Sequence, residues 1–216
     1  MSRSNVPREF PNARVRLRRV QRIPGLPVRE GEMQIWLNGT RFRVLDEAGR
    51  HLSAILADLS AASGLGAVPR SLEEMMDIQS ESRIPVDGVT DLSGDLATDE
   101  GWVRRKGQPA WPARAGQLAP AAAQILAGEL AGLEPGGEVL RLGRTCTEYQ
   151  GVREGVEDGT PYRSAVTYIV SPPYLLFSDV HDADDADHSY TCEILSLEEG
   201  AAADADLALP SGAGDP

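Results

Sequence analysis

Residues 31–49 read GEMQIWLNGTRFRVLDEAG, and the fold turns on how this stretch is read. Asn38-Gly39 is a preferred two-residue hairpin turn, because both residues tolerate positive φ. With those two as the loop, Leu37 faces Thr40, Ile35 faces Phe42 and Met33 faces Val44. Side chains alternate along a strand, so these residues all lie on one side of the ribbon. The other side carries Trp36 opposite Arg41 and Gln34 opposite Arg43. Turn chemistry and apolar pattern therefore agree on an antiparallel pair with one apolar and one polar face. On the polar side Trp36 is placed to stack on the Arg41 guanidinium.

The pattern extends outward in both directions. Upstream, ARVRLRRV at 13–20 alternates Val15 and Leu17 with Arg14, Arg16 and Arg18, as a half-buried strand does. The arginine row reads as a solvated strand face, with anionic lipid or an acidic partner as its alternative use. Residues 1–12, with Pro7 and Pro11, read as a flexible arm. Downstream the period changes. Leu52, Ile55, Leu56 and Leu59 follow helical spacing, and Ser71 with Glu74 forms a capping box ahead of Leu72, Met75 and Met76.

Residues 79–101 are polar and read as a loop with at most a short strand. Trp102-Val103 and Ala110-Trp111 flank Lys106-Gly107 as a small hairpin. Pro120 suits a helix start, and 121–133 reads as an alanine-rich helix stopped by EPGG at 134–137. Strands follow at 138–150, 162–170 and 189–197, with SPPYLLF at 171–177 as an extended return. The expected fold is α+β: a curved antiparallel sheet, an unclosed half-barrel, with helices packed on its concave face. It forms one domain over 13–198, between the arm and a disordered acidic tail at 199–216.

Composition bounds the function. The chain has 216 residues and a formal net charge of −12. Residues 1–114 carry 17 basic and 15 acidic groups, and residues 115–216 carry 4 and 18. A chain without a basic half is poorly suited to neutralising a phosphate backbone, so nucleic acid is not an expected partner. No stretch reaches the ~20 apolar residues of a transmembrane helix. The first 20 residues contain no apolar run of the secretory kind, so a cytoplasmic location is expected, or a periplasmic one where a signal has been removed.

The closing strands bring a family to mind. LGRTCTEYQG at 142–151, YRSAVTYIVSPPYLLF at 162–177 and YTCEILSLEEG at 190–200 resemble the last strands of proteins with the lipoprotein-carrier, or LolA-like, fold. The hairpin at 31–49, with its Trp and its basic residues after the turn, resembles that family's early hairpin. The resemblance is one of pattern over about two-thirds of the chain. It implies an unclosed barrel wrapped over helices, often with an apolar cavity for acyl chains.

Chemistry-bearing motifs are sparse. HDADDADH at 181–188 places two histidines around four aspartates. It lacks the glycine and the spaced ligands of a calcium loop, and it reads as a solvated acidic connection between strands, with weak calcium binding as the alternative. Cys146 and Cys192 match no zinc spacing and read as small apolar side chains in strands; pairing between them is left open. There is no G-x-S-x-G elbow and no phosphate-binding G-x-x-x-x-G-K loop. The expectation is a non-enzymatic binding protein without cofactor or metal. Its ligand-lining residues would be Met33, Ile35, Leu37, Phe42 and Val44 on the sheet, with Met75 and Met76 on a covering helix, holding an apolar or lipid-like small molecule. The alternative is a packed scaffold that meets a protein partner through its surface.

Overall fold

A computed structural model describes residues 6–25, 28–46, 90–105, 109–128, 130–157, 160–185 and 187–208. The helical segments expected at 52–59 and 71–76 lie outside the described residues. Strands β1 (Phe10–Arg22), β2 (Arg29–Gly39), β3 (Arg41–Asp46), β4 (Thr90–Asp95), β5 (Glu100–Arg105) and β6 (Trp111–Arg114) precede one helix, α1 (Ala115–Ala123). Strands β7 (Glu134–Arg141), β8 (Arg144–Glu157), β9 (Thr160–Ser171), β10 (Tyr174–Asp182) and β11 (Ser189–Glu199) follow it. All eleven form one antiparallel sheet in the order β6-β5-β4-β3-β2-β1-β11-β10-β9-β8-β7. Each half is a meander of neighbouring strands, and the β1–β11 pairing joins the halves. Strands β6 and β7 are the two edges, so the sheet is unclosed.

The 31–49 hairpin forms, with its register moved. Asn38 pairs with Arg41, Leu37 with Phe42 and Ile35 with Val44. The loop is Gly39-Thr40, and Gly39 takes φ +60°, matching a two-residue turn with glycine at its first central position. Each β3 residue thus meets a β2 residue two places from the one expected. A shift of two keeps every side chain on its face. Met33, Ile35, Leu37, Phe42 and Val44 remain together and buried.

Trp36 departs further from expectation. It opposes Arg43 rather than Arg41, and the Arg43 and Arg14 guanidinium carbons stand 5.4 and 6.0 Å from its ring. It is also buried, because the chain after β11 crosses it. A 3₁₀ turn at Asp204–Leu207 presses Leu207 and Ala202 onto Trp36 and Leu45. The acidic tail is therefore seated as far as residue 208. Asn12 holds it from the sheet side by accepting from the Ala202 amide at 3.1 Å. The N-terminal arm is likewise shorter than expected: β1 begins at Phe10, whose ring meets Phe42 edge-on at 5.7 Å.

Residues 79–101 were expected to be a loop with at most a short strand; β4 is such a strand at Thr90–Asp95, and a second, β5, begins at Glu100. Their small side chains are what the packing requires. A Cβ on Gly94 would stand 2.7 Å from Phe42 Cζ and 3.0 Å from Ala115 Cβ. The small hairpin expected about Lys106-Gly107 forms with Val103 opposite Trp111.

The helix expected over 121–133 instead runs Ala115–Ala123, with Pro120 inside it. Asp99 sets this start. Its backbone carbonyl accepts from the Ala115 amide and its Oδ1 from the Gly116 amide, at 3.1 and 2.9 Å. Two donors left over at any helix N-terminus are thereby satisfied. The helix stops because the strand beyond it recruits the backbone. Leu175 N donates to Ile125 O and Ala127 N to Pro173 O, and Leu126 bridges Tyr174. The strand expected at 138–150 is in fact a hairpin, with Leu142 at φ +49° and Gly143 at φ +72° between β7 and β8. A leucine at positive φ is uncommon, and nothing in LRLGRT announces it.

Candidate ligand-binding site

The apolar face has a core beneath α1. Ala115, Leu118, Ala119 and Ala122 of the helix meet Phe42, Val44, Val103 and Ile35 of the strands in one buried cluster. Small helix residues let the helix axis approach the sheet closely. The five sheet residues expected to line a ligand site are thus brought together, and Ile35, Leu37, Phe42 and Val44 have no exposed surface. Met75 and Met76 lie outside the described residues.

Where α1 ends, the core meets a groove of about 700 Å³. Pro7 and Pro11 of the N-terminal stretch, Pro120, Ala123, Leu126 and Ala127 of the helix and its end, and Pro172-Pro173 before β10 line it. Glu9 and Gln124 are its polar members. Gln124 also reaches inward: its Nε2 stands 3.0 Å from Met33 Sδ. One side chain thus lines the groove and touches the buried face. The sequence shows the five prolines, but they lie at positions 7, 11, 120, 172 and 173. Only the fold gathers them.

Toward the other end of the strands the same face changes character. Pairing places Arg29, Gln21, Tyr190, Val180, Val166 and Gly151 in one row across β2, β1, β11, β10, β9 and β8. The adjacent row on this face is Gly31, Arg19, Cys192, Ser178, Tyr168 and Tyr149. The next row, Met33, Leu17 and Ile194, belongs to the apolar core. The face is therefore apolar through its middle and polar at the end where β3 stops at Asp46 and β4 begins at Thr90.

Arg19 is held there by Asp46, with Nη2 at 2.7 Å from both carboxylate oxygens. Burial works against the guanidinium charge, but Asp46 and the Tyr190 hydroxyl outweigh it and raise its pKa. Burial raises the Tyr190 phenol, and it pushes the Cys192 thiol up to about 11. A hollow of about 240 Å³ adjoins these rows, with Gln21, Tyr190, Val180 and Ser164 among its walls. The signal was present in the sequence. Arg18-Arg19 is a doublet within an alternating strand, and a doublet must send one guanidinium to the apolar side.

The acidic stretch 181–188 is the connection between β10 and β11. Asp184 N donates to Asp182 Oδ1 and Asp187 N to Asp185 Oδ1, at 2.9 and 3.0 Å. Two carboxylates are thus engaged by the loop's own amides, as in Asx turns. Among the described residues, no three His, Cys, Asp or Glu side chains group as a metal site. Cys146 and Cys192 are both free thiols, Cys146 buried and Cys192 half-buried. No helix of the described residues is long and apolar enough to cross a membrane.

No family model matches the chain, and no curated protein matches it either. Among solved structures, it is similar to a LolA superfamily protein from Nitrosomonas europaea at 11% identity and a TM-score of 0.38, over 94% of this chain and 93% of that one. It is also similar to a proposed outer membrane lipoprotein-sorting protein domain from Vibrio parahaemolyticus at 8% identity and a TM-score of 0.30, over 88% of this chain and 85% of that one. The resemblance to LolA-like proteins is one of pattern.

Proposed function

We propose that this chain is a non-enzymatic binding protein that takes an apolar or lipid-like small molecule between its sheet and the segments covering it. The carrying observation is Gln124, which lines the groove and contacts Met33 of the buried face. Gln124 connects the groove to the core at that point. The groove walls are mostly proline, alanine and leucine, surfaces that gain from covering by an apolar partner. A ligand entering there would displace Gln124 and extend toward Met33, Leu17 and Ile35. Helix α1 grips the sheet largely through alanines, so its contact with each strand is shallow.

Native mass spectrometry of protein purified without detergent tests the reading. The expected result is an adduct of a few hundred daltons that is lost on denaturation. A bare chain mass, unchanged after incubation with a medium-chain alcohol, refutes it. One observation favours a second reading: Ile35, Leu37, Phe42 and Val44 are fully buried without any ligand. A packed protein that meets a protein partner through its surface would have such a core, and it would give the bare mass in both samples.

A further inference from the structure

Among the described residues many arginines are neutralised by carboxylates, and Arg29 is not one of them. Arg16 and Arg18 face Glu32 and Glu30, Arg19 faces Asp46, and Arg43 and Arg104 share Asp91. Among the described residues no carboxylate forms an ion pair with Arg29, and its Nη2 is buried without a hydrogen-bond partner. A buried cationic donor left unmatched is costly, and such groups in native proteins call for a partner.

Its position names the chemistry of that partner. Arg29 sits directly across from Gln21, and Gln21 directly across from Tyr190. These side chains share one face, so a guanidinium, a carboxamide and a phenol line up across three strands. All three can donate hydrogen bonds. Of the carboxylates near this row, Asp46 is engaged at 2.7 Å by Arg19, and Asp182, on the wall of the hollow beside Gln21 and Tyr190, accepts from the Asp184 amide at 2.9 Å. Tyr190 is itself hydrogen-bonded to Arg19, so the unmatched group of the row is the Arg29 guanidinium. Along the same face, four residues from Arg29, Met33 begins the apolar core, a step of about 13 Å at strand rise.

We propose that the row Arg29–Gln21–Tyr190 is an anion-binding site for the headgroup of an anionic amphiphile whose chain lies on the apolar part of the same face. The inference rests on the binding function proposed above and specifies the ligand's class. An anion matches the unpaired guanidinium, and a tail reaching along the same face would part the buried row Met33, Leu17 and Ile194. A neutral lipid would leave Arg29 as it is now.

Three probes, each titrated calorimetrically below its micelle concentration, test this: dodecyl phosphate, dodecanol and inorganic phosphate. Dodecyl phosphate should bind about tenfold or more tighter than dodecanol, the size of effect one charged hydrogen bond gives. Arg29→Met should reduce that preference below about threefold and leave dodecanol binding unchanged. Equal binding of dodecyl phosphate and dodecanol by the wild-type chain overturns the anion site while the apolar-ligand function survives. Inorganic phosphate binding as tightly as dodecyl phosphate also overturns it, in favour of a free-anion site. Binding of neither amphiphile refutes both proposals. Should Arg29→Met fail to fold, the wild-type ratios decide, and Tyr190→Phe, which removes only a hydroxyl, should lower the ratio in the same direction.

Discussion

Gly94→Ala should destabilise the protein by forcing α1 off the sheet. The added methyl would lie 2.7 Å from Phe42 Cζ and 3.0 Å from Ala115 Cβ. Carbon atoms in contact need about 3.5 Å, so close to 0.8 Å must come from somewhere. Phe42 has no free space to give: it is fully buried, and the Phe10 ring stands edge-on behind it at 5.7 Å. Ala115 is tied too, its amide donating to Asp99 O at 3.1 Å. Overpacking of this kind costs about 2 kcal/mol, which lowers the melting temperature of a domain this size by about 4–8 °C. Thermal denaturation followed by circular dichroism measures it. Phe42→Leu shortens the opposing ring, so the double variant should be less destabilised than the two single losses combined, by about 1 kcal/mol. A Gly94→Ala melting point within about 1 °C of wild type, or strict additivity, would mean that α1 does not press on β4 as described.

Two further outcomes follow from the same packing. Leu207→Ala should cost about 2 kcal/mol, the lower end for a buried leucine because its cluster is small, and should shift tryptophan emission to the red as Trp36 meets water; an unchanged spectrum would place the 3₁₀ turn elsewhere. Asp99 is held below the usual carboxylate range, chiefly by the Gly116 amide and then by Arg114. A depressed carboxylate contributes stability that is present above its unfolded pKa and lost as pH falls through the folded one. Stability should therefore decline below about pH 4, and Asp99→Asn should flatten that decline; a parallel acid limb in the variant would remove Asp99 from the helix start.

Much of the sheet was legible because alternation is a strong signal and survives an error of register. The loop was assigned to Asn38-Gly39 and formed at Gly39-Thr40. Both loops hold two residues, so the shift was two in pairing and none in face. The helix boundary was less legible, because its determinants are distant. Asp99 captures two amides 16 and 17 positions away, and β10 takes the backbone of residues 125–127 from the expected helix. Pro120 looked like a start, yet it lies inside the helix, five residues after the Ala115 start that Asp99 sets. The tail misled through composition: GAAADADL is small and acidic, but Ala202 and Leu207 suffice once Trp36 offers a surface.

The polar end of the face shows most clearly what pattern reading discards. An alternating strand invites one to count the matches, Val15 and Leu17 against Arg14, Arg16 and Arg18. Arg19 is a mismatch, and so is Arg29 on the neighbouring strand, two positions before Gly31. A mismatch on a half-buried face must be neutralised, solvated or used. Asp46 neutralises Arg19 across the sheet. Arg29 has no such partner among the described residues. Placed opposite Gln21 and beyond the last apolar row, it is, among the described residues, a cation that folding alone leaves with a buried unmatched donor, and a ligand that carries both a charge and a tail supplies a reason for it.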